Sequence, residues 1–204
     1  MINGHMWDGQ TVTSQAAGTF PKLWTVEDFL AWESQQEERY EFVDGVLRAM
    51  TGGTIDHGAI SFNIAAALRS KIADKSCRPY VADIRVKAGE NAMYPDVVVI
   101  CGPAPPKATE VENPVVVVEV LSKSTSDYDR GRKWLAFQTI PSLTHFLLVS
   151  QDECRIDVFR RMGNGWFSES VTDLEAVILL DSIGAQLMVR DIYEGSSVAA
   201  RLAG

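Results

Sequence analysis

A chain of 204 residues, 46% hydrophobic and 23% charged, has the makeup of a globular protein with a core of useful size. Its formal net charge of −8 excludes a general polyanion-coating role, which needs a basic excess, but leaves room for a local basic groove. Three scattered cysteines, Cys77, Cys101 and Cys154, form no CxxC or Cys/His cluster, which argues against structural zinc.

The cysteines read as thiols in a reducing cytoplasm. No apolar run reaches the length of a membrane span, and the start of the chain lacks a cationic segment followed by an apolar one. A cytoplasmic protein without a membrane partner is the expectation.

Residues 1–20 are polar and unpatterned, and are expected to form a flexible arm ahead of one domain over 21–204. Thr25 reads as an N-cap, with Glu27 and Asp28 in the first turn of a helix that runs to about Ser34. Tyr40 to Met50 carries Asp44-Gly45 between two β-prone runs, which predicts a hairpin with Glu41 and Val43 on one face. Ile60, Ile64, Ala67, Leu68 and Ile72 recur at helical spacing, so a helix is expected from Thr54 to about Lys75, with His57 in its first turn.

Strands are predicted at Pro79–Lys87 and Tyr94–Ile100, and at the valine-rich stretch from Pro114 to Ser122. A helix from about Asp127 to Thr139 follows and ends near Pro141. Then come a strand at Leu143–Val149, a hairpin around Gly163-Asn164-Gly165, and two short strands before Asp191. The order of elements predicts an α/β fold with a mixed sheet flanked by helices and additional β-hairpins.

One residue in the valine-rich strand demands an explanation. Glu119 is a carboxylate in a run that is apolar on both faces, where an unpaired charge is costly. Asp96 opens the preceding buried strand, and a short connection makes the two strands neighbours. Two converging carboxylates suit a hard cation such as Mg²⁺ or Mn²⁺. The plainer alternative is a capping Asp96 and a Glu119 salt-bridged to an arginine. Lys133 shares a helical stripe with Phe137 and Ile140 and is drawn toward the core, where its ammonium could meet the carboxylates; pairing with Asp129 at i−4 is the alternative.

The residues Tyr40-Glu-Phe-Val-Asp-Gly45, His57, Pro95-Asp-Val-Val-Val99, Val118-Glu-Val-Leu-Ser122 with Ser124-Thr125, and Lys133 resemble the Uma-two family of endonucleases, within the PD-(D/E)XK restriction-endonuclease-like superfamily. The resemblance spans about Thr25 to Tyr193. It implies a restriction-endonuclease-like mixed sheet, Mg²⁺-dependent (or Mn²⁺-dependent) cleavage of phosphodiester bonds in nucleic acid, with DNA as the expected substrate, and a homodimer. Asp96, Glu119 and the backbone carbonyl of Val120 would be the metal ligands, and Lys133 would assist.

Glu41 matches an acidic position beside the metal, although pairing with Arg48 across the hairpin is an alternative. His57 would lie near the scissile phosphate, against the alternative of a helix-start histidine bonded to a neighbour. The chain departs from the superfamily pattern at Leu121, where the usual lysine would stand two residues after the glutamate. That departure, with the acidic net charge, motivates a second reading, a binding or assembly module that kept the fold and lost turnover.

Overall fold

The computed structural model describes residues 18–19, 24–50, 52–81, 83–122 and 126–203; the expected arm, 1–20, lies outside them except for Gly18–Thr19. The elements run β1 (Gly18–Thr19), α1 (Val26–Glu33), β2 (Tyr40–Val43), β3 (Val46–Ala49), α2 (Ile55–Lys71), β4 (Cys77–Val81), β5 (Arg85–Ala88), β6 (Asn91–Met93) and β7 (Val97–Cys101). They continue with β8 (Glu110–Val111), β9 (Pro114–Leu121), α3 (Ser126–Tyr128), a π-helical turn (Asp129–Lys133), α4 (Trp134–Phe137), β10 (His145–Ser150), β11 (Ile156–Met162) and β12 (Gly165–Val171). β13 (Val177–Leu180), a 3₁₀ turn (Asp181–Ile183), β14 (Ala185–Met188), α5 (Val189–Tyr193) and α6 (Ser197–Ala203) complete the chain.

The valine-rich strand is the middle of the larger sheet, whose order is β12-β11-β10-β9-β7-β4. β9 runs parallel to β10 and antiparallel to β7, so the sheet is mixed. Alternation along β9 feeds two cores. Val116, Val118 and Val120 pack with Ile60, Ile64 and Leu68 of α2 and with Ile192 and Tyr193 of α5. Val117 and Leu121 pack with Val86, Met93, Phe137 and Phe146. Burying Ile60, Ile64 and Leu68 contributes about 2 kcal/mol for each side chain, which is what fixes α2 against the sheet.

A second sheet, β1-β3-β2-β6-β5-β8, covers the other side. Its hairpin turns at Asp44 and Gly45 with φ of 51° and 71°, the two left-handed residues that a type I′ turn requires. That turn sets the register Glu41↔Arg48 and sends Val43 into the central core, while Phe42 packs on Phe29 of α1. α1 starts with a capping box: Thr25 Oγ1 accepts from the Asp28 N–H at 3.1 Å, and Asp28 Oδ2 accepts from the Thr25 N–H at 3.0 Å. Among the described residues no helix is long and apolar enough to cross a membrane.

The structure corrects several expectations. The single strand expected at Pro79–Lys87 is two strands in two different sheets, β4 and β5. The chain breaks at Asp83, whose φ of 56° cannot continue a strand. Arg85 is therefore not paired with Asp83 but with Glu33 and Glu110.

Cys77 and Cys101 are not thiols. They face each other on β4 and β7 and form a disulfide across 24 residues of sequence. Only register brings them together, so the spacing concealed the pair, and the reducing-compartment argument loses its basis; Cys154 alone is a free thiol. The helix expected at 127–139 is interrupted by the π-helical turn, in which the Trp134 N–H donates to the Asp129 carbonyl five residues back.

Candidate active site

The strand expected at 94–100 begins at Val97, which leaves Asp96 on the bend that enters β7. Val97 lies opposite Val118, so Asp96 stands beside the far end of β9. There its Oδ2 accepts from the Val120 N–H at 2.6 Å. α2 supplies the next group. Thr54 caps the helix by accepting from the His57 N–H at 3.1 Å, and this places the imidazole Nε2 3.3 Å from Asp96 Oδ1. The Val120 backbone also favours the protonated ring. The Asp96 bond holds the His57 proton more firmly than usual, and burial opposes it.

Glu119 is 3% exposed, in the middle of the central sheet, and Lys133 is equally buried. The π-helical turn aims Lys133 at the strand: its Nζ lies 2.6 Å from Glu119 Oε1, 2.9 Å from Glu41 Oε1 and 3.6 Å from Asp129 Oδ1. The contact with Glu119 is close but off hydrogen-bond angle, so Oε1 is a buried acceptor with no directed donor. Burial drives the Glu119 carboxyl well above the usual carboxylate range. The nearby Asp129, Asp96 and Glu41 push the same way, and Lys133 alone opposes. Burial also works against charge on Lys133, but Glu119, Glu41 and Asp129 outweigh it and keep the ammonium protonated.

Glu41 reaches the cluster from β2. It does not pair with Arg48, its cross-strand neighbour, whose guanidinium lies 4.5 Å over the Tyr128 ring. Instead Glu41 Oε1 meets Lys133 and accepts from the Tyr94 N–H at 2.9 Å. The far end of Tyr94 enters a second ion cluster: its hydroxyl donates to Glu33 Oε1 at 2.9 Å and accepts from Arg85 at 3.0 Å. Burial pushes this hydroxyl up to about 12.

Glu41, His57, Asp96, Glu119, Asp129 and Lys133 line one cleft of about 200 Å³. The structure thus brings together all five side chains that the sequence nominates, with the Val120 backbone among them. Sequence reasoning missed Asp129 and Tyr94 as members. Asp129 was visible only as an i−4 partner for Lys133, and it joins the cluster in addition to the strand carboxylates. Leu121 is buried with the apolar groups of the central core. Ser124 and Thr125 lie outside the described residues.

Three carboxylates meet one ammonium here, and a fourth meets an imidazole, so the site carries an anionic excess made of oxygen donors. Such a set favours a hard cation over zinc or copper. Among the described residues no three His, Cys, Asp or Glu side chains converge as a ligand set. The donors on offer are two carboxylates and a backbone carbonyl.

The family model described as "Uma2: Putative restriction endonuclease" matches residues 26–190. The chain belongs to the Uma2 family. Two relatives from Synechocystis sp. are similar over most of their length. The uncharacterized protein slr1290 is 33% identical over 187 residues, which covers 90% of this chain and 98% of that protein. The uncharacterized protein sll1609 is 32% identical over 150 residues, 70% and 84% of the two chains. Among solved structures, a chain from Anabaena variabilis described as a putative nuclease superposes with a TM-score of 0.71 at 19% identity, covering 83% of this chain and 97% of that one. The likeness is one of fold, and the Uma2 fold is the restriction-endonuclease-like mixed sheet flanked by helices.

Proposed function

We propose that this Uma2 chain is a metal-dependent endonuclease that hydrolyses phosphodiester bonds in DNA. The observation that carries the reading is the convergence of Asp96, Glu119 and Lys133 on one cleft, in a chain whose family carries the description "Putative restriction endonuclease". Asp96 and Glu119, with the Val120 carbonyl, are the residues that would hold Mg²⁺ or Mn²⁺. The undirected Glu119 Oε1 and the surplus of carboxylates fit such an ion. A bound divalent ion supplies Lewis acidity toward a phosphoryl oxygen and a more acidic water.

The chain's own residues do the rest. Lys133 keeps its proton and stabilises anionic charge that develops on phosphate. Glu41 holds Lys133 in place from the side of β2, while the Tyr94 N–H fixes Glu41. His57 steadies Asp96 from the first turn of α2. Incubation with supercoiled plasmid and Mn²⁺ should nick DNA in the unaltered protein and fail in Asp96→Ala and Glu119→Ala. Equal nicking by all three would remove the assignment. Sedimentation at graded concentration tests the homodimer that the family resemblance implies.

The 2.6 Å contact between Lys133 and Glu119 also favours a second reading, in which the lysine itself neutralises the site of a non-enzymatic binding module. Calorimetric titration with Mn²⁺ separates the two. Binding that is lost in Asp96→Ala supports the nuclease, and no binding supports the module.

A further inference from the structure

A second cleft, of about 280 Å³, lies at the opposite end of α2 and is lined by Arg69, Ile72, Lys75, Cys77, Arg78 and Pro79. Its three cations lack carboxylate partners among the described residues. Most described lysines and arginines sit within 4 Å of a carboxylate, from Arg39–Glu33 through Arg85–Glu110 to Arg190–Glu175. Arg69, Lys75 and Arg78 make no ion pair of that kind with a described residue, and all three are exposed. The nearest carboxylate in sequence, Asp74, is turned onto Ser76, whose N–H and hydroxyl both donate to it at 2.8 Å. Arg78 is pinned by donating to the Lys75 and Cys77 carbonyls, and Cys77 is tied to Cys101. In a chain of net charge −8, three cations without a described carboxylate partner thus ring one concavity.

One exposed stripe of α2 runs between the two clefts and carries no carboxylate of its own. Ile55, Gly58, Phe62, Ala66 and Arg69 follow helical spacing on the exposed face of α2, with Ile55 92% and Phe62 70% exposed. This stripe starts one residue past Thr54, which lines the candidate active site, and ends at the cationic cleft. From His57 to Arg69 is twelve positions, a rise of about 18 Å. At about 3.4 Å of axis per nucleotide on one strand, that spans roughly five nucleotides.

We propose that Arg69, Lys75 and Arg78 form a phosphate-contact site that grips the backbone of the nucleic-acid substrate roughly five nucleotides from the cleavage point. The inference rests on the nuclease reading, because it assigns the anion to the substrate of that site. It also accounts for how a chain of net charge −8 could hold a polyanion: a local basic site and an uncharged track offset the general repulsion.

The test uses the full chain, without divalent cation so that nothing is cut, and a fluorescein-labelled duplex of about 24 base pairs, long enough to span the track. Anisotropy is measured from about 50 to 200 mM salt. The triple variant Arg69→Ala/Lys75→Ala/Arg78→Ala should bind about 10- to 100-fold more weakly, with a log–log salt slope shallower by about 3. Arg69→Lys/Arg78→Lys keeps the charges and should keep the slope. Lys107→Ala, at another exposed lysine, should change neither, and melting temperatures verify that each variant is folded.

Equal affinity and slope in the unaltered and triple-variant proteins would overturn the site and leave the nuclease reading standing. Inorganic phosphate binding that disappears in the triple variant, with duplex affinity unaffected, identifies a small-anion site and also overturns the backbone assignment. A change in sedimentation alone would assign the cleft to self-association and overturn it too. If no version binds duplex while plasmid cleavage is also absent, the nuclease reading falls and the site falls with it.

Discussion

Two ion clusters flank Tyr94, one partly exposed and one buried, and they settle their charges in opposite ways. On one side Arg85 bonds Glu33 at 2.8 Å and Glu110 at 2.9 Å, with Arg39 3.9 Å from Glu33, so two cations balance two anions. On the other, Lys133 alone serves Glu119, Glu41 and Asp129. A balanced cluster is complete and ties α1 to the second sheet. An unbalanced one leaves a buried carboxyl driven far above its usual range, which is a standing demand for a further positive charge or for a proton. Anionic excess combined with burial distinguishes the candidate active site from a structural salt bridge.

The largest effect should come from removing the charge that creates the excess. Glu119→Gln should lower Mn²⁺-dependent plasmid cleavage by about 10²–10³-fold while the melting temperature stays near that of the unaltered protein. If cleavage is unchanged, the cluster is as structural as its neighbour. Lys133→Met leaves three carboxylates without their ammonium and should cost about 4 kcal/mol in urea unfolding, with partial recovery on adding Mn²⁺. Arg85→Met should cost about 3 kcal/mol with no recovery from Mn²⁺, because the balanced cluster has no use for an ion. Rescue of both variants, or of neither, would erase the distinction.

His145 sharpens the comparison from outside, since it has a third solution. It is buried, its Nε2 meets no hydrogen-bond partner, and burial lowers it to about 4, so it stays neutral. Its folded value lies below the ordinary one of about 6.5, so the unfolded chain takes up the proton first as pH falls. Stability should therefore drop by about 2 kcal/mol between pH 6.5 and 4, beyond any loss seen in His145→Gln over the same range. The smallest effect belongs to Tyr94, which joins the two clusters. Tyr94→Phe removes the hydroxyl from the Glu33–Arg85 pair and keeps the N–H on Glu41, so about 1 kcal/mol of stability should be lost and cleavage retained.

Much of this was legible in the chain itself. Glu119 stood out because it is a charge in a valine strand, and the short link from Asp96 made the two carboxylates neighbours. The stripe Lys133–Phe137–Ile140 pointed inward because two of its three members are apolar. What stayed hidden depended on distant partners. The break at Asp83 follows from the chain passing between two sheets, which no local pattern announces. The Cys77–Cys101 bond follows from strand register. Asp129 joined the site through a turn wider than the α-helix assumed for it.

That turn also sets how little the chain can be shortened there. A π-helical turn holds one residue more than the α-helical turn it replaces, and a residue adds about 100° of rotation. A relative that lacked it would align with a one-residue gap between Asp129 and Lys133, and its lysine would point away from the strand carboxylates. Deleting one residue from this turn would thus take the Lys133 ammonium out of reach of Glu119.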